Sequence, residues 1–173
     1  MERFYQRAGA PAPDAAEIAG PEVPEPYRRL LVHSRDMTPT LEAFHDCKLM
    51  ITVLSRHRDG ETYLREVLLR PSPERPAVEY GVIRIFLDRL PVAARFAVLA
   101  EERPFGDILQ TELVAHLSWP QAFFRIQADR HLSRVLGLDL RGPLYGRRNV
   151  LVGGDRRLLA EVIEVLPPTE ISA

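Results

Sequence analysis

One cysteine and one lysine, Cys47 and Lys48, are all that a chain of 173 residues contains of either type. A lone cysteine closes no internal disulfide and fits a reducing compartment, so a cytoplasmic location is expected. Cys47 also has no histidine near it in sequence and no nucleophile signature. The histidines His33, His45, His57, His116 and His131 are scattered, and no Cys/His pairing has zinc-ligand spacing. No metal site is therefore expected. Charge of one sign is missing too. The formal net charge is −1, which leaves no basic field for nucleic acid or an anionic membrane. Long apolar runs are absent: "MERFYQRAGAPAPDAAEIAG" holds none that suits a signal peptide, and no segment nears the roughly 20 apolar residues of a membrane span. Nearly every basic residue is arginine, as in proteins from GC-rich genomes, so an arginine is not by itself a signal.

What is present is the balance of a soluble domain, 46% hydrophobic and 27% charged, and the length fits one domain with a sizeable core. Residues 1–26 carry Pro11, Pro13, Pro21, Pro24 and Pro26 among alanines and acids. They read as a tail, extended or draped over a domain of residues 27–173. "YRRLLVHSRDMTPTLEAFHDC" predicts short helices, with Thr38 as N-cap and Pro39 at the first helical position.

Strands follow. "KLMITVLSRHR" and "TYLREVLLR" flank the turn signal "RDG" and predict a bulged or longer-looped hairpin over 49–57 and 62–70. "AVEYGVIRIFL" is a third strand. "PVAARFAVLAEE" predicts a helix with Val92, Phe96 and Leu99 on one face. "RPFG" breaks it, and "DILQTELVAHL" predicts a second helix with Leu109, Leu113 and Leu117 on one face. "QAFFRIQ" is a strand and "ADRHLSRVLG" a helix with Leu132, Val135 and Leu136 inward and Gly137 as C-cap. "LYGRRNVLV" and "RLLAEVIEVL" are strands joined by "GGD". That turn is no phosphate loop, because a strand and not a helix follows it. The sum is α+β: about six strands in an antiparallel sheet, with helices packed on one face.

Charges inside those strands are the functional signal. With period two, Arg65 shares a face with Tyr63, Val67 and Leu69, and Glu161 shares one with Leu159, Ile163 and Val165. An unpaired buried charge costs several kcal/mol, so each needs a partner or a ligand. Two readings stand. One is a buried ion pair, or a sheet edge where both side chains reach water. The other is a closed pocket in which Arg65 clamps a carboxylate bidentately and Glu161, its pKa raised by desolvation, moves a proton or meets a hydroxyl. Arg147 and Arg148 point to opposite faces, so at most one lines such a pocket. Glu66 and Arg84 read as charges paired on the outer face. His116 and His131, on predicted helices, read as surface residues.

Three stretches, "YLREVLL" (63–69), "RPFGDIL" (103–109) and "LYGRRNVLVGGDRRLLAEVIEVLPP" (144–168), together resemble chorismate pyruvate-lyase. "LLVHSRDMTPTLEAF" fits the N-terminal helical region of that family more loosely, and the resemblance spans residues 28–168. It implies a six-stranded antiparallel sheet with helical flaps over an internal ligand cavity. It also implies cofactor-free elimination of pyruvate from chorismate to give 4-hydroxybenzoate. By the same resemblance Arg65 holds the ring carboxylate, Glu161 meets the 4-substituent, backbone groups at Phe105 and Gly106 touch the carboxylate, and Met37 lines the pocket. Arg147 or Arg148 is the candidate for the second carboxylate.

The segment 127–143 is longer than in the enterobacterial enzymes. It looks more like UTRA domains, the ligand-sensing domains of certain transcription regulators, which share this fold. The alternative expectation is therefore a domain that binds an aromatic or sugar acid without turning it over, or an enzyme on this fold with a related substrate. UTRA domains normally follow a winged helix of about 60–70 residues. Only some 27 residues stand before the domain here, so DNA binding of that kind is not expected of this chain. The expected partner is a small anionic molecule, with no nucleic acid and no membrane.

Overall fold

The structure is a computed structural model that describes residues 13–137 and 142–168. Seven strands form one antiparallel sheet: β1 (Ala15–Ile18), β2 (Met50–Asp59), β3 (Thr62–Arg70), β4 (Glu79–Phe86), β5 (His116–Ile126), β6 (Leu144–Gly153) and β7 (Leu158–Leu166), in the order β1-β5-β6-β7-β4-β3-β2. Five helices accompany them: α1 (Tyr27–Leu31), α2 (Met37–His45), α3 (Val92–Ala100), α4 (Phe105–Thr111) and α5 (Arg130–Leu136).

The first hairpin forms over the expected residues. Gly60, at φ 55, makes the tight turn, and the register shifts at a bulge between Val53 and Ser55. In the last hairpin the left-handed turn residue is Arg156, at φ 64, and not either glycine of the pair. The seventh strand comes from the proline-rich segment: residues 15–18 pair with 123–126 of β5. The first twelve residues of that segment lie outside the described residues.

Strands β3, β4 and β7 are buried on both faces, which is why they read as near-continuous apolar runs. On one face Tyr63, Ile83, Ile85, Ala160 and Val162 pack against Ala94 and Val98 of α3 and Ile108 and Leu109 of α4. Beside them Leu69 and Leu166 pack against Leu30 and Leu31 of α1 and Met37 and Leu41 of α2. The other face carries α5: Leu132 and Leu136 meet Leu68, Tyr80, Val82 and Val165. Helices therefore cover both faces rather than one, four on the first and α5 on the second.

Three helix expectations change. In α3 the buried residues are Ala94 and Val98, while Val92 and Phe96 face out at 70% and 69% exposure. The helix predicted over 107–117 ends at Thr111. Leu113 turns left-handed at φ 51, the Val114 amide is held by the Leu109 carbonyl, and β5 begins at His116. Leu113 and Leu117 are exposed rather than inward. A leucine in that backbone region has no glycine or proline to announce it. Helix α2 starts two residues early, with Asp36 in the N-cap position and Thr38 inside the helix.

Candidate functional site

Between the sheet and the α2 and α4 helices lies a cavity of about 540 Å³ counted to its open mouth, of which about 60 Å³ admits the centre of a water molecule. Its floor is cut from four adjacent strands. Arg65 of β3 stands opposite Ile83 of β4, Ile83 opposite Val162 of β7, and Val162 opposite Asn149 of β6. The next row runs Val67, Gly81, Glu164. Asp36, Met37 and Thr38 at the start of α2 and Pro104, Phe105 and Gly106 at the start of α4 form the roof. The two roof elements meet closely. A Cβ on Gly106 would lie 3.0 Å from the Thr38 hydroxyl, so a side chain there would push the helices apart.

Arg65 is 1% exposed and lines this cavity. One of its terminal nitrogens, Nη2, donates a long 3.5 Å hydrogen bond to the Arg103 carbonyl; Nε and Nη1 have no partner. Glu101, the acid that acts on its charge, is already engaged by the Tyr63 hydroxyl and by Arg56. Burial pulls the Arg65 pKa down, offset in part by Tyr63 and Glu101, yet a guanidinium stays charged at any ordinary pH. It is thus a desolvated cation in the cavity lining with two nitrogens unpartnered.

Glu161 does not share the cavity. Because Ile83 faces Val162 across the β4–β7 ladder, the even-numbered residues of β7 point inward. Glu161 projects from the opposite face, half-exposed, in an ion pair with Arg84. Glu164 lines the cavity in its stead. Arg147 is fully buried but bound on every side: Nε pairs with Glu164, Nη1 donates to the carbonyls of Leu31 at 3.2 Å and His33 at 3.0 Å, and Nη2 to that of Arg35 at 3.0 Å. It clasps the α1–α2 connection to the sheet and has no fork left for a ligand. Arg148 is exposed on the opposite face. Of the residues singled out in the sequence, Arg65, Met37, Phe105 and Gly106 come together at the cavity, and Glu161, Arg147 and Arg148 do not line it.

Glu66 is buried on the second face, where the hydroxyls of Ser55 and Tyr80 donate to it, each at 2.8 Å, and His131 joins them. The outer-face charges thus pair as Glu66 with this group and Arg84 with Glu161.

Sequence reasoning passed over Asp36, Glu79 and Asn149, which also line the cavity. Glu79 is wholly buried, and desolvation together with the neighbouring Glu164 charge raises its pKa well above the usual carboxylate range. Burial raises Glu164 as well, against the pull of Arg147. Asp36 receives His116 Nε2 at 2.8 Å, while His116 Nδ1 lies 2.7 Å from the Val114 carbonyl. Both ring nitrogens face acceptors, which suits an imidazolium, and the bond to Asp36 raises the His116 pKa.

No protein-family model matches the chain, and no curated protein matches it by sequence. Solved structures match its fold, an effector domain and a ligand-binding domain among them. The effector domain of PhnF from Mycobacterium smegmatis is 12% identical with a TM-score of 0.56, and the match covers 76% of this chain and 87% of that one. Against the longer PhnF chain the TM-score is 0.57 at 11% identity, and the match covers 79% of this chain but only 65% of that one. The ligand-binding domain of a putative GntR-family regulator from Bordetella bronchiseptica gives 0.53 at 11% identity, covering 72% and 92%. At such identities the likeness is one of fold. The fold is that of the UTRA and chorismate-lyase type, and no described helix is long and apolar enough to cross a membrane.

Proposed function

We propose that this chain is a small-molecule-binding domain whose ligand is an organic acid, seated in the cavity with its carboxylate on Arg65. One observation carries the reading: a fully buried guanidinium that lines the cavity with two of its nitrogens unpartnered. Leaving such a charge unmatched costs several kcal/mol, and a carboxylate supplies both a countercharge and an acceptor. Apolar walls from Met37, Ile51, Ile83, Phe105, Leu151 and Val162 suit a carbon skeleton. The effector and ligand-binding domains that share the fold support the same class of activity.

The test is calorimetric titration with benzoate, 4-hydroxybenzoate, glucuronate and chorismate, repeated on Arg65→Met. At least one acid is expected to bind, and the variant to lose about 2 kcal/mol or more, roughly thirtyfold in Kd. Binding that survives Arg65→Met unchanged contradicts the proposal.

A second reading, elimination of pyruvate from chorismate to give 4-hydroxybenzoate, is favoured by Arg65 standing beside Phe105 and Gly106 in one cavity. It needs an acid near the ether oxygen. Glu161 cannot serve from the opposite face, but Glu79, buried and with its pKa raised by desolvation, lines the cavity as the candidate acid. Incubation with chorismate, followed by absorbance of the aromatic product and a coupled pyruvate assay, separates the two readings. Turnover that Glu79→Gln abolishes supports the lyase; binding without turnover supports the sensor-type domain.

A further inference from the structure

Among the described residues, six buried side-chain polar atoms have no hydrogen-bond partner. Five belong to residues that line the cavity: Nε and Nη1 of Arg65, Oδ1 of Asp36, Oε2 of Glu79 and Oδ1 of Asn149. Only Arg89 Nε lies elsewhere. Buried polar groups in folded proteins are nearly always satisfied. A cluster of exceptions around one hollow therefore describes in negative what fills it. Arg65 contributes the two nitrogens, and the three oxygens come from other elements.

The network fixes which way the acceptors point. Ser118 Oγ donates to the Arg35 carbonyl at 3.2 Å, so its oxygen is left to accept, and Asn149 Nδ2 donates to it at 2.8 Å. The amide orientation follows, and Asn149 Oδ1 is the atom left without a partner. Asp36 uses Oδ2 on His116, which frees Oδ1. Arg65 and Asn149 stand in one cross-strand row, three strand spacings apart, about 14 Å between backbones. The cavity thus has a donating end on β3 and an accepting end on β6 and α2, with apolar walls between.

Resting on the carboxylate reading of Arg65, we infer that the ligand carries a neutral hydrogen-bond donor, a hydroxyl, at the end remote from its acid, and that Asp36 and Asn149 select for it. A hydroxyl fits better than an ammonium group. Asp36 is matched by His116, whose two ring nitrogens both face acceptors, and Asn149 is neutral, so the accepting end has little negative charge to replace the solvation that an ammonium would lose. Glu164 is paired with Arg147, whereas Arg65 lines the cavity without an ion-pair partner. The ligand class is then a hydroxylated monoacid.

The test compares matched acids by calorimetry on the full chain: cyclohexanecarboxylate against its 4-hydroxy derivative, and hexanoate against 6-hydroxyhexanoate and 6-aminohexanoate. The hydroxylated member of at least one pair is expected to bind about tenfold or more tightly than its parent, one hydrogen bond to a charged or amide acceptor being worth that much. Within each pair the gain should vanish in Asn149→Leu or Asp36→Ala, and a cooperative urea transition shows that the variants fold. The amino acid should gain nothing. Equal affinities within each pair, or a gain that both variants retain, overturn the inference but leave the Arg65 reading in place. If no acid of either pair binds, both fail.

Discussion

Arg65 holds its charge out of water without a counterion, and this can be tested with no ligand at all. Methionine fills a similar volume without a charge, so Arg65→Met is expected to raise the stability of the empty protein by about 1–4 kcal/mol, read from urea unfolding. A loss of stability would mean that the guanidinium is satisfied in the folded state. Two histidines make the protein respond to pH in opposite senses. His33 donates from Nε2 to the Leu30 carbonyl at 2.7 Å and accepts at Nδ1 from the Arg35 amide at 3.1 Å, so its neutral form is built in. Burial, and then the Arg147 charge, lower its pKa from 6.5 to about 4. Above pH 6.5 the ring is neutral in both the folded and the unfolded chain. As the pH falls from 6.5 toward 4 only the unfolded chain takes up the proton, so stability drops in that window. His116, with its pKa raised, contributes fully below 6.5 and loses its contribution as the pH rises through its folded value. Urea midpoints across pH 4.5–8 should show the acid-side fall diminished in His33→Asn, and an unchanged profile in that variant would contradict the assignment.

The α1–α2 connection and strand β6 are joined by Arg147, whose removal would strand Glu164 as an unpaired buried acid and take a donor from three backbone carbonyls. Arg147→Ala is expected to cost about 3–5 kcal/mol and to speed amide exchange in residues 31–35, where Asp36 and Met37 begin the cavity roof. Unaltered exchange there would show that the clasp does not hold the roof. At this scale the sequence was readable in its strands and misleading in one helix. Period two and a bounding turn signal were enough for β2, β3, β4, β6 and β7. The segment 107–117 carried leucines at helical spacing, and only the left-handed backbone of Leu113 ends the helix there. The four residues of β1 pair only because β5 offers an edge, which no local pattern announces.

Across the whole molecule, the α+β class and the antiparallel sheet were legible because short links between strands leave few alternatives. The candidate site was half legible. Arg65 showed itself as a charge amid apolar neighbours, and the resemblance added Met37, Phe105 and Gly106. Glu161 gave the same signal from the wrong face. In a strand buried on both sides, apolar periodicity does not say which face holds the hollow; that depends on register across β3, β4 and β7, a nonlocal property. Glu164 is equally a mid-strand acid and falls on the inner face. Asp36, Glu79 and Asn149 sit on three different elements and become a group only once the chain is folded.

The central claim, that Arg65 receives a ligand carboxylate inside the cavity, is tested most directly by nitrogen-15 NMR of the Arg65 side-chain Nε–H, assigned by its loss in Arg65→Met. Titration with the benzoate, glucuronate and chorismate panel is expected to shift that resonance saturably for at least one acid, with the same midpoint as calorimetry. Saturable binding that leaves the Arg65 resonance where it was would contradict the account.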